Sequence, residues 1–153
     1  MTRVIAIAVF GLSVMPTLAG AGGQAAAETP ASVWREECSA CHVAYPPRLL
    51  SAESWKAIMA GLPKHFGVDA SVEPAVSHTI EQYLVTNSSL RPSRTGTGAP
   101  LRITETPWFV RKHREVPLSA WKRPQVKSPA NCSACHTGAS ADNYSDDGVR
   151  IPR

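Results

Sequence analysis

After its first 27 residues the sequence has no apolar run approaching the roughly 20 residues a helix needs to cross hydrocarbon, so no later membrane span is expected. Methionine is scarce: Met1 and Met15 lie among those first residues, and Met59 is the only one beyond them. Long stretches without helix breakers are also missing, because 13 prolines and 10 glycines are spread over 153 residues. A large side-chain core is therefore not expected, and something else must stabilise the chain.

What stands at the start is Met1-Thr2-Arg3, an apolar stretch from Val4 to Leu18 interrupted at Gly11, Ser13, Pro16 and Thr17, and then small residues up to Ala27. That order is the layout of a secretory signal peptide. A retained anchor is disfavoured because the stretch is short of a span and Pro16 breaks it. Two small-x-small sites compete for cleavage, Ala19-Gly20-Ala21 and Ala25-Ala26-Ala27, and the second is preferred. The expectation is a chain exported to the periplasm and not membrane-spanning after cleavage.

All four cysteines fall in two identical runs, Cys38-Ser39-Ala40-Cys41-His42 and Cys132-Ser133-Ala134-Cys135-His136. C-x-x-C-H is the c-type haem attachment sequence. Two sulfurs three residues apart on one helical turn can form thioethers with the two vinyl groups of a single porphyrin, and the next histidine is held against the iron. Structural disulfides give no reason for a histidine after both pairs. A thioredoxin-like pair lacks its βαβ setting, and a zinc site of four cysteines would have its pairs much closer in sequence. Two covalently bound haem c groups are expected, with Cys38, Cys41, Cys132 and Cys135 binding the cofactor and His42 and His136 on the iron. Two buried macrocycles would supply the missing apolar surface, and the haem-free chain should fold poorly.

The spacing predicts a helix over 31–42 ending in the first motif, with Trp34 and Cys38 four apart. A second is capped by Ser51 and carries Trp55, Ile58, Met59 and Leu62 on its apolar side, with Pro63 ending or kinking it. A third covers 72–85 with Val76, Ile80, Tyr83 and Leu84 inward and Pro74 in its first turn. The stretch 88–100 has loop composition, and a domain boundary is placed near Arg91. Thr106-Pro107 signals the start of a short helix over 108–114, after which periodicity fades. The resulting division is 1–27 signal peptide, 28–90 N-terminal haem domain and 91–153 C-terminal haem domain. Only the pentapeptide repeats, while its flanks do not match, which argues against a duplicated domain.

Each iron takes one further ligand or stays open. The remaining histidines are His65, His78 and His113. His65 lies three residues beyond Leu62 on the inward face and is assigned to the first haem. His113 closes the short aromatic helix and is assigned to the second, the pairing being less constrained than the identities. His78 sits in a helix that already has its apolar stripe, and Met59 serves as packing. Two histidines per iron give lower potentials than a Met/His pair and leave no vacant site, which points to electron transfer and not to an enzyme.

Several strings resemble the small dihaem cytochrome c family of proteobacteria. They are Glu37-Cys38-Ser39-Ala40-Cys41-His42-Val43-Ala44-Tyr45-Pro46-Pro47, then His65-Phe66-Gly67, then Ile103-Thr104-Glu105-Thr106-Pro107-Trp108-Phe109 leading to His113-Arg114-Glu115, and Val149-Arg150-Ile151-Pro152-Arg153. The resemblance implies a mainly α chain: a class I cytochrome c-like N-terminal haem domain and an irregular, Pro-rich C-terminal one with little regular structure. It implies bis-histidine ligation through His42, His65, His113 and His136. It also implies donation of electrons to a soluble, oxygen-binding monohaem cytochrome, with a membrane cytochrome b upstream. The alternative held against this is the electron-entry subunit of a larger periplasmic oxidoreductase such as nitrate reductase. A dihaem peroxidase would be a longer chain.

Charge is unevenly distributed. Residues 28–90 carry four Lys/Arg against seven Asp/Glu, residues 91–128 nine against two, and residues 129–153 two against three. In an exported chain the basic segment is not expected to bind nucleic acid. Arg111, Lys112, Arg114, Lys122 and Arg123 flank His113, and an acidic redox partner is expected to dock there on a monomeric carrier.

Overall fold

The computed structural model describes residues 28–90 and 98–153. The signal-peptide reading of 1–27 and the boundary at Arg91 lie outside the described residues. Those residues form five α-helices and six 3-10 turns, with isolated bridges but no strand.

α1 (Pro30–Cys38) starts where Thr29 and Ser32 exchange capping hydrogen bonds and proline occupies the first turn. It stops four residues short of the expected His42. The Ser39 N–H bonds the Arg35 carbonyl at 3.0 Å, and the Ser39 hydroxyl donates to the same oxygen at 2.5 Å. Such local side-chain bonding competes with helix continuation. Cys41 and His42 are thereby carried off the helix into a turn.

α2 (Ala52–Ala60) begins at the Ser51 cap, and Gly61 closes it before Pro63, which sits in the 3-10 turn Leu62–Lys64. α3 (Pro74–Thr86) packs on both α1 and α2. Trp34, Leu50, Trp55, Met59, Ile80 and Leu84 form their common core, with Val76, Tyr83, Ile58 and Leu62 partly buried against it. Trp55 is fixed within this core because its indole N–H donates to the Pro47 carbonyl at 2.7 Å.

The second half is sparser. α4 (Pro107–Lys112) is capped by Thr106, which is fully buried, accepts from the Phe109 N–H and donates to the Ile103 carbonyl at 2.7 Å. It ends two residues before the expected Arg114, with the C-cap His113 making the closing i→i−4 backbone bond to the Phe109 carbonyl and its ring Nδ1 bonding the same oxygen. α5 (Leu118–Trp121) is a single turn, and the remainder is 3-10 turns and loop. Between 98 and 153 only Pro100, Thr106, Phe109, Ala120, Val126 and Ala139 are buried.

The two halves meet along a polar seam. Arg48 pairs with Asp142 at 2.6 Å, Arg35 donates to the Ser140 carbonyl at 3.0 Å, and the Tyr45 hydroxyl donates to the Ala130 carbonyl at 2.6 Å.

Candidate functional site

Each C-x-x-C-H run is brought beside one distant histidine. The His42 and His65 ring centres are 6.2 Å apart with planes inclined 26°. Those of His113 and His136 are 6.1 Å apart at 74°. Two imidazoles sharing one metal ion, each nitrogen about 2 Å from it, place their ring centres roughly 6 Å apart. Both pairs therefore have the separation that an ion between them demands.

The hydrogen bonds of His42 and His113 fix which ring nitrogen keeps a free lone pair. Nδ1 of His42 bonds the Val43 carbonyl at 2.8 Å, and Nδ1 of His113 bonds the Phe109 carbonyl at 2.9 Å. A carbonyl only accepts, so Nδ1 carries the proton and Nε2 keeps its lone pair for a metal. Nδ1 of His136 is buried without a hydrogen-bond partner.

His65 is delivered by a tight turn. Its carbonyl accepts from the Val68 N–H at 3.1 Å, and the two intervening residues, Phe66 and Gly67, have φ of 48° and 103°. Glycine tolerates that conformation, whereas an aromatic residue adopts it at a cost. Burial, and then the neighbouring His42, lower the proton affinity of His65. Burial and His113 lower that of His136, with Asp146 opposing. Both shifts favour neutral imidazole, the form that binds metal.

The thiols differ from those of a redox-active pair. Burial, with Glu37 adding to it, pushes Cys38 up to about 11, and burial raises Cys132 and Cys135 as well. Reactive dithiols are activated by the opposite shift. Cys38 ends α1, Cys132 opens the 3-10 turn Cys132–Ala134, and Cys135 caps it, with all four thiols unpaired. No three His, Cys, Asp or Glu side chains among the described residues gather round one point. A pair of histidines beside two thiols suits an ion whose other ligands come from a porphyrin, so the residues fit haem c.

Aromatic rings pack on both histidine pairs. Tyr45 stacks on His42 at 4.6 Å and 19°, Phe109 on His113 at 3.9 Å and 21°, and Tyr144 lies 5.4 Å from His136. The spacing of the sequence gives no sign of Tyr45, Phe109 or Tyr144 in this role. Met59 is buried in the helical core and His78 is exposed on α3, so neither joins a pair. Arg111, Lys112 and Arg114 are exposed and line a surface hollow with Glu115. Arg123, expected in that basic group, instead donates to the Pro152 carbonyl.

The family model for dihaem cytochrome c matches residues 34–144, a span holding both motifs and both distant histidines. The chain belongs to the dihaem cytochrome c family. Among solved structures it is similar to a dihaem cytochrome c purified from Rhodobacter sphaeroides, with 50% identity, TM-score 0.64, and 73% of this chain and 95% of that one covered. A second Rhodobacter sphaeroides structure has 48% identity, TM-score 0.66, and coverage of 73% and 94%. The type c dihaem cytochrome of Shewanella baltica has 39% identity, TM-score 0.72, and coverage of 82% and 95%. No curated protein matches. Family membership brings two covalently bound haem c groups and electron transfer, on a mainly helical dihaem fold. No helix among the described residues is long and apolar enough to cross a membrane.

Proposed function

We propose that this dihaem cytochrome c is a periplasmic electron carrier, holding one haem on Cys38 and Cys41 between His42 and His65, and the other on Cys132 and Cys135 between His136 and His113. The observation that carries the ligand assignment is the pair of ring separations, 6.2 and 6.1 Å. Each iron supplies a one-electron change. His42, His65, His113 and His136 would hold the two irons, with the Val43 and Phe109 carbonyls fixing the tautomers of His42 and His113, and ligation by all four would leave water and small ligands no open position. Saturated coordination favours carrying electrons over transforming a substrate.

Electrons would arrive from a membrane cytochrome b and leave to a soluble, oxygen-binding monohaem cytochrome. The exit would lie beside the second haem, where exposed Arg111 and Lys112 in the last turn of α4 and exposed Lys122 at the end of α5 would attract an acidic partner. Spectroelectrochemical titration with carbon monoxide present tests the core of this reading. Two low-spin haems that bind no carbon monoxide are expected, and a haem that takes up the gas in the wild-type protein would refute saturated ligation.

A further inference from the structure

The seam between the halves contains one contact that begins at a proposed ligand of one haem and ends at the attachment site of the other. Tyr45 lies three residues beyond His42, and its ring stacks on that imidazole at 4.6 Å and 19°. Its hydroxyl crosses the seam to donate to the Ala130 carbonyl at 2.6 Å, at the short end of the range for such bonds. The same carbonyl accepts the backbone N–H of Cys132 at 3.0 Å. The Cys132 Sγ lies 3.6 Å from the same oxygen, so hydrogen bonds converging on one carbonyl and one ring contact connect the His42 imidazole to Cys132.

We propose that Tyr45 is the electronic bridge between the two haems, relaying electrons along His42, the Tyr45 phenol, the Ala130 carbonyl and Cys132. The inference rests on the electron-carrier reading and adds a residue to it. Electronic coupling falls off more slowly through bonds, hydrogen bonds and stacked π systems than across empty space, and hydrogen bonds in series polarise one another. In each transfer one ferrous iron is oxidised and the other, ferric, iron is reduced. The Tyr45 O–H bond stays intact throughout, and no proton has to move.

A purely mechanical role is the rival explanation, since Arg48 with Asp142 and Arg35 with Ser140 also span the seam. Neither of those contacts touches a proposed iron ligand or a motif cysteine, so the two explanations separate experimentally. In haem-loaded protein, flash photoreduction followed by absorbance measures how fast an injected electron redistributes between the haems. Tyr45→Phe, which keeps the ring and leaves the carbonyl to water, should slow this redistribution severalfold with both potentials and both low-spin spectra unchanged. Tyr45→Leu should slow it further. Arg48→Gln, which breaks the ion pair but not the route, should leave the rate as in wild type. The Tyr45 hydroxyl proton should also appear as a slowly exchanging line in the proton NMR spectrum of the fully reduced, diamagnetic protein and vanish in Tyr45→Phe. An unchanged rate in Tyr45→Phe, or equal slowing in Arg48→Gln, would overturn the bridge. Wild-type protein with fewer than two haems would overturn the carrier reading and the bridge with it.

Discussion

His65 and His113 reach their partners from unlike local settings. One stands before a left-handed turn at Phe66 and Gly67, the other at the end of a short helix. If both are ligands, ferric His65→Ala and His113→Ala proteins should each show one high-spin haem that binds cyanide, leaving about half of the chromophore low-spin. His78→Ala should leave the spectrum unchanged, because that side chain is exposed on α3. Absorption spectra of the three variants decide the assignment, and conversion of a haem by His78→Ala alone would reverse it. The cysteines make a separate prediction: Cys132→Ala combined with Cys135→Ala should leave one haem mass on the denatured chain by mass spectrometry, against two in wild type.

At the scale of elements, α4 carries His113 on only six residues, so its cap matters more than in a longer helix. Thr106→Ala removes a buried hydroxyl that both caps Phe109 and bonds Ile103. It should cost about 1 to 2 kcal/mol in denaturant unfolding and loosen the second haem's ligation first, visible as partial carbon monoxide binding. Ser51, Pro74 and Thr106-Pro107 made α2, α3 and α4 legible in the sequence, because caps and proline act through neighbouring residues. The end of α1 was less legible, since its stop depends on a serine hydroxyl choosing the Arg35 carbonyl. The turns after Val116 were illegible for a deeper reason. They bury few side chains of their own, so no periodic apolar pattern is imposed on them. Within the site, C-x-x-C-H declares itself by spacing, whereas the ring contacts of Tyr45 and Tyr144 with the histidines depend on how the irregular segment after each motif folds back.

For the whole molecule, charge separation gives the docking prediction. The described basic residues near His113 include Arg111, Lys112 and Lys122, none of which forms an ion pair among the described residues, while 28–90 is acidic overall. Reduction of an acidic partner should slow as ionic strength rises, and slow again in Lys112→Glu combined with Lys122→Glu, by stopped-flow absorbance. A rate indifferent to both would move the docking face elsewhere. The uneven distribution of core residues has a consequence for how each half keeps its haem. Residues 28–90 gather three helices round Trp34, Trp55 and Ile80, whereas the later residues lean on Tyr45, Arg35 and Arg48 across the seam. All four residues proposed to hold the first haem lie within 28–90 together with that core, so the first half has the means to keep its haem alone, whereas the second half depends on contacts its own residues do not supply.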